Sequence, residues 1–279
     1  MDVVIKEKEM SFLDHLEELR WHIIRAVISI FVFAVIAFVS KDFIWHHLIL
    51  GPSRPDFFTY RTLCQLGDAI GSDVLCIEQL PFTIQSRQMS GQFTMHISSS
   101  FIIGLICAFP YAFWEMWRFI SPALYSKEKN LTRGATFFVS LLFLMGIFFG
   151  YYVVSPLSIN FLANYQVDPT ILNEFDITSY VSTLSMLVLA CGLMFQLPII
   201  IYFLSEAGIV TPALMRTFRR HAIVVILIVS AIITPPEVIS QILIACPLLI
   251  LYEISIFLSA MVLRRKKKDL IETGNLPSV

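Results

Sequence analysis

Long apolar runs alternate with short polar stretches along the chain. Apolar residues extend from about Trp21 to Ser40, Phe93 to Trp117, Gly134 to Leu157 and Ser179 to Leu204. Each run reaches the roughly 20 residues that a helix needs to cross a bilayer. Two further runs are shorter. Ala222–Ile233 gives only about 18 Å of helix, against a hydrocarbon core of about 30 Å. The last begins near Val238, after the turn Thr234-Pro235-Pro236-Glu237, and soon meets Glu253. The pattern predicts an all-α membrane protein with six transmembrane helices, the last two of them short. A short hairpin has to thin the bilayer locally or pair with a partner.

The polar stretches organise these helices into one polytopic domain over 1–279. Residues 1–20 read as an amphipathic N-terminal helix. Ser11 and Asp14 form an S-x-x-D capping box, Phe12, Leu16, Leu19 and Ile23 recur at helical spacing, and Asp14, Glu17, Glu18 and Arg25 face the other way. The helix runs on into the first span at Trp21. Residues 41–92 are too long for a plain connection and predict a structured outer loop. That loop holds Pro52, Pro55, Pro81, Cys64 and Cys76. Phe119–Lys129 reads as a loop with a Ser121-Pro122 turn and a lone carboxylate, Glu128, between Lys127 and Lys129. Pro110 and Pro198 interrupt the second and fourth spans, and Gly146-x-x-x-Gly150 lets two helices approach closely. Residues 158–178 form a second outer loop, and 262–279 a polar tail.

Charge settles the orientation. Sixteen of the Lys and Arg residues fall on one side: the N-terminus, the loop around Glu128, Arg216–Arg220 and the run Arg264–Lys268. Only Lys41, Arg54, Arg61 and Arg87 fall on the other. The positive-inside rule therefore predicts that both termini are cytoplasmic. Charged residues make up 15% of the chain, against about 25% in a soluble one, which excludes an ordinary globular protein. The mixed-charge N-terminus does not read as a cleaved signal peptide.

Motifs for bond chemistry are missing. The chain has no GxSxG, HExxH, phosphate loop or GxGxxG, so it is not predicted to be an enzyme and needs no cofactor or metal. Nothing points to nucleic acid. His15 and His22, seven apart, read as solvated interface histidines without a third ligand. Glu17 and Glu18 diverge by about 100° around the helix and cannot share a proton. Three carboxylates remain near the cytoplasmic face, Glu18, Glu128 and Glu115. A carboxylate accepts the bidentate fork of a guanidinium, so each is either a receptor for arginine or the partner of a local base. Cys64 and Cys76 share an outer loop, where a disulfide or two unpaired thiols both stay open. Glu253 reads as a packing residue or a partner contact, and Arg264–Lys268 as a topology determinant that touches membrane lipid.

Four ordered stretches, HLEELRWHIIR from His15, FISPALYSKEK from Phe119, FQLP from Phe195 and TPPEVISQ from Thr234, resemble TatC, the multispanning receptor subunit of the twin-arginine protein translocase. The resemblance covers nearly the whole chain. It implies a concave bundle in a bacterial inner membrane, with export of folded cargo driven by the proton-motive force. It implies that Glu18 and Glu128 bind the paired arginines of signal peptides, with Arg20 in the same helix motif. It matches Pro52 to a proline early in the first outer loop. It assigns Thr234, Glu237 and Gln241 to contact with single-span TatA/TatB-type subunits, and it implies self-association. Two departures stand out. Gln196 occupies a position where many members have Glu, so a role there that needs a charge is lost. The first outer loop is longer than usual, with its two cysteines in the added part. The competing reading is a secondary transporter of small molecules, which predicts ionisable groups at the midplane between broken helices; apart from Glu253, none lies clearly mid-span.

Overall fold

In the computed structural model the main chain is described for residues 12–71, 76–77, 80–124, 129–168, 170–234 and 238–272. The helices are α1 (Phe12–Val39), α2 (Lys41–Phe43), α3 (Phe58–Ile70), α4 (Gly91–Leu124), α5 (Lys129–Phe149), α6 (Ser155–Asn164), α7 (Ile177–Met194), α8 (Leu197–Glu206), α9 (Pro212–Thr217), α10 (Arg219–Ile233) and α11 (Val238–Glu272). A π-helical turn, Ile44–Ile49, and a 3-10 turn, Gly51–Ser53, lead from α2 toward α3, and a second π-helical turn, Gly150–Val154, joins α5 to α6. The strands β1 (Thr83–Gln85) and β2 (Glu174–Asp176) pair in parallel, with Thr83 opposite Glu174 and Gln85 opposite Asp176.

Five stretches are long and apolar enough to cross a membrane: Leu16–Val39, Gly91–Phe119, Thr136–Asn164, Ile177–Glu206 and Ser240–Lys267. The fifth expected span, α10, is not among them: it has 15 residues, about 22 Å of helix. The final helix corrects the expectation that both last helices are short. α11 has 35 residues and runs through the basic stretch into the segment expected to be a polar tail. Glu253 does not end it, because Arg219 at the start of α10 meets that carboxylate at 2.6 Å. Beyond Glu253 the helix packs on α8, where Ser205 donates to Ser259 at 2.7 Å. Before that, α11 meets the short α10 through Gln241 at the Leu227 carbonyl and Glu253 at Arg219.

Prolines act unequally. Pro198 breaks the fourth span as expected: α7 stops at Met194, and α8 restarts at Leu197 with the proline in its first turn, where no N–H is needed. Pro110 does not interrupt α4, which is continuous over 34 residues. Nor do Ser121 and Pro122 form a turn, since α4 continues to Leu124. One missing N–H in a long helix leaves the flanking hydrogen bonds to hold it.

The chain packs as two compact units. The first comprises Met1–Lys41 and His96–Ser140, the second Asp42–Met95 and Leu141–Val279. In the first, α1 crosses α4 at Gly104, where a Cβ would lie 2.6 Å from the Ala34 nitrogen. Only glycine allows that approach. His96 Nε2 donates to the Phe38 carbonyl nearby at 3.1 Å.

In the second unit, Gly146 and Gly150 bring α5 and its π-helical turn onto α7. A Cβ on Gly146 would lie 2.6 Å from the Cys191 carbonyl, and one on Gly150 3.0 Å from Val188 Cα. Val154, Leu187, Cys191, Ile226, Ile244, Ala245 and Leu248 form a buried cluster here. Non-α turns free backbone carbonyls, which need donors when buried. Tyrosines supply them. Tyr151 donates to the carbonyls of His47 and Leu48, Tyr180 to that of Ile49 and Tyr60 to those of Pro52 and Pro156. Burial pushes the Tyr60 phenol above its ordinary range.

The loop before α4 and the loop before α7 are clamped at β1–β2. The backbone N–H of Arg87 donates to Asp176 at 3.1 Å, and the Arg87 guanidinium lies 3.5 Å from the Glu174 carboxylate. Hydrogen bonds from Thr178 hold Asp176 below the usual carboxylate range, with Arg87 adding to the effect. Asp176 thereby caps α7.

Candidate functional site

In the first unit, α1 and α4 meet in a buried polar cluster. Helix α4 places Tyr111 and Glu115 one turn apart, and α1 places His22 and Arg25 one turn apart. Glu115 is 1% exposed. Its Oε2 meets His22 Nδ1 at 2.5 Å and lies 3.7 Å from Arg25, and its Oε1 accepts from Tyr111 at 3.0 Å. Phe119 packs beside His22, and Arg118 stacks over Trp114. A carboxylate loses several kcal/mol of hydration on burial, roughly, and two direct hydrogen bonds with a nearby guanidinium offset that loss.

This cluster corrects the reading of His22 as a solvated histidine. Its ring is buried, at 5% exposure, because Glu115 faces it from α4. The partner lies 93 residues away, so no local spacing announces the contact. The His15 side chain and the capping residue Ser11 lie outside the described atoms. Tyr111 carries no signal beyond its i, i+4 spacing to Glu115, and sequence reasoning missed it.

Glu18 lies one turn before His22, on the same side of α1 as the cluster. Unlike Glu115 it is exposed, and among the described residues it makes no ion pair. Arg20 is exposed as well. Glu128 lies outside the described residues, as does Glu237. One side of α1 therefore carries an open carboxylate at Glu18 and, further along, His22 and Arg25, which close the Glu115 carboxylate of α4.

The other expected site residues fall in the second unit. Gln196 sits in the break between α7 and α8 and is buried at 8% exposure; its backbone carbonyl accepts from Ile199 and Ile200 at 3.1 Å. Thr234 is buried at the end of α10 and donates to the Ser230 carbonyl. Gln241 reaches across from α11 to the Leu227 carbonyl at 3.2 Å. The hairpin thus brings Thr234 and Gln241 toward its turn, with Arg219 and Glu253 at the other end. Pro52 is buried in the 3-10 turn under Tyr60. Cys64 and Cys76 are joined in a disulfide. Asp68 has a ligand atom within 4.8 Å of both sulfurs, but bridged sulfurs have no thiolate to offer a metal.

The model of a family described as Sec-independent protein translocase protein (TatC) matches residues 14–247. A Sec-independent protein translocase protein TatC from Blattabacterium sp. subsp. Periplaneta americana (strain BPLAN) is 35% identical over 263 residues, covering 94% of this chain and 99% of that protein. TatCy of Bacillus subtilis (strain 168) is 31% identical, covering 95% and 94%. Two crystal structures of a twin arginine translocase receptor, TatC, resemble the fold. One has a TM-score of 0.66 at 31% identity and covers 89% of this chain and 99% of its own. The other, in DDM, has a TM-score of 0.69 at 32% identity and covers 88% and 99%.

Proposed function

The chain belongs to the TatC family of Sec-independent protein translocase proteins, a multi-pass membrane family of protein transport, and we propose that it is a receptor for twin-arginine signal peptides. The observation that carries this reading is the contrast along α1. Glu115 is closed by His22, Tyr111 and Arg25, whereas Glu18, one turn before His22, is exposed and without an ion pair among the described residues. An exposed carboxylate on a rigid helix is a ready acceptor for a guanidinium fork. Glu128 supplies the second carboxylate for a pair of adjacent arginines, and Arg20 helps to orient the first.

In this reading the protein lies in a bacterial inner membrane with six spans and both termini cytoplasmic. The mechanism is recognition, not bond chemistry. Single-span partner subunits of the TatA/TatB type dock at the outer end of the α10–α11 hairpin, at Thr234, Glu237 and Gln241. Copies of the receptor self-associate, and the proton-motive force drives export of folded cargo. Gln196 acts as a neutral hydrogen-bonding group in the break of the fourth span, and Pro52 and the Cys64–Cys76 bridge hold the outer loop.

Charge reversal tests the site. Glu18→Lys and Glu128→Lys should each abolish crosslinking of a twin-arginine signal peptide to the full-length protein in membranes, with expression and insertion unchanged. Normal crosslinking and normal export of such cargo by both variants would reject the assignment.

A further inference from the structure

A basic cavity of about 300 Å³ opens between α9, the start of α10 and the distal half of α11. Arg216, Arg219 and Arg264 line one part of it, with Glu253, and Phe257 and Met261 line another. Arg219 is committed to Glu253 at 2.6 Å. Arg216 and Arg264 make no ion pair among the described residues. Three guanidinium groups against one carboxylate leave the cavity strongly positive. Phe257 and Met261 are 65% and 53% exposed, so its apolar wall is open to the surroundings. The cavity lies where the apolar run of α11 gives way to the basic stretch, within and just before the end of the Ser240–Lys267 span.

These features belong together in one kind of ligand. A phosphodiester needs planar forks of donors, which Arg216 and Arg264 offer. A ligand that also covers an exposed phenylalanine and methionine beside the fork must carry a hydrocarbon part. Free phosphate does not, and a peptide carboxylate would leave the apolar wall bare. We propose that this cavity is a seat for the headgroup phosphate of an anionic phospholipid, with its acyl chains laid along Phe257 and Met261. The Arg219–Glu253 pair forms the back of the seat and keeps Glu253 from repelling the phosphate. This differs from diffuse attraction of a polybasic tail to a charged surface, because it assigns the selectivity to two arginines.

The test titrates the detergent-solubilised full-length protein with short-chain phosphatidylglycerol, with phosphatidylcholine of the same chains and with inorganic phosphate, reading bound copies by native mass spectrometry. Phosphatidylglycerol should bind in preference to the other two. Arg216→Gln with Arg264→Gln should weaken phosphatidylglycerol by about thirtyfold, which is about 1 kcal/mol for each basic residue removed near an anionic surface. Arg220→Gln with Lys267→Gln removes the same charge away from the cavity and should leave the preference intact. Equal losses in the two double variants would overturn the seat in favour of diffuse attraction. So would phosphatidylcholine binding as well as phosphatidylglycerol, or phosphate alone binding as well as the lipid. Arg216→Lys keeps the charge but not the fork, and it should lose part of the preference while matching the wild type in thermal stability. Full retention by that variant, with the double variant misfolded, would also reject the proposal.

Discussion

Glu115 and Glu253 both interrupt long apolar helices, and each meets an arginine, yet they are neutralised differently. Glu115 is 1% exposed and has His22, Tyr111 and Arg25 around it. The Glu253 side chain is 52% exposed and has one partner, Arg219, itself 50% exposed. Every lone pair of a buried carboxylate needs a donor, because nothing else in the site replaces water. A half-exposed carboxylate draws on its surroundings, so a single contact suffices. The first arrangement fixes how α1 meets α4. The second closes one end of a hairpin without fixing it rigidly.

Substitutions can break this contrast, beginning with the largest effect. Glu115→Ala leaves His22 buried and Arg25 without its carboxylate. It should destabilise the protein by about 3–5 kcal/mol, the cost of removing one partner from a buried pair, read as a fall in the denaturation midpoint of the purified protein in detergent. A loss under about 1 kcal/mol would mean that the cluster relaxes and is not the rigid junction described. Tyr111→Phe removes one donor and keeps the ring, and by the same measurement it should cost about 1 kcal/mol. Glu253→Gln should cost less still, about 0–1 kcal/mol, as for an exposed ion pair. If Glu253→Gln proved as damaging as Glu115→Ala, exposure would not be what separates the two sites.

The same contrast shows where the sequence was legible. The apolar runs marked the long helices, since a bilayer's thickness imposes a length that composition alone reveals. Pro198 marked a true break: α7 stops at Met194, and the Gln196 carbonyl starts α8 by accepting from Ile199 and Ile200. Pro110 and Pro122 looked the same on paper and broke nothing. Gly146 and Gly150 were readable as a close-packing pair, although the partner, α7, was not. Glu253 reads from sequence as a packing residue or a partner contact; its actual partner, Arg219, lies 34 residues away, beyond any local spacing. Of the candidate site, Glu18 could be named from its motif. The burial of His22 and Glu115 could not, because it depends on two helices meeting and not on any neighbour in sequence. Glu128 and Glu237 lie outside the described residues, whereas Glu18, Thr234 and Gln241 lie within them.

The clamp between β1 and β2 carries a consequence for the order of events during synthesis. Arg87 and Asp176 stand 89 residues apart, and α4, α5 and α6 lie between them. Parallel rungs between Thr83–Gln85 and Glu174–Asp176 cannot form until those helices have emerged and the chain has returned to the same side. Until then the first loop waits with its strand unpaired. This pairing is therefore sealed late, and a chain stalled before residue 174 leaves an open strand edge at β1.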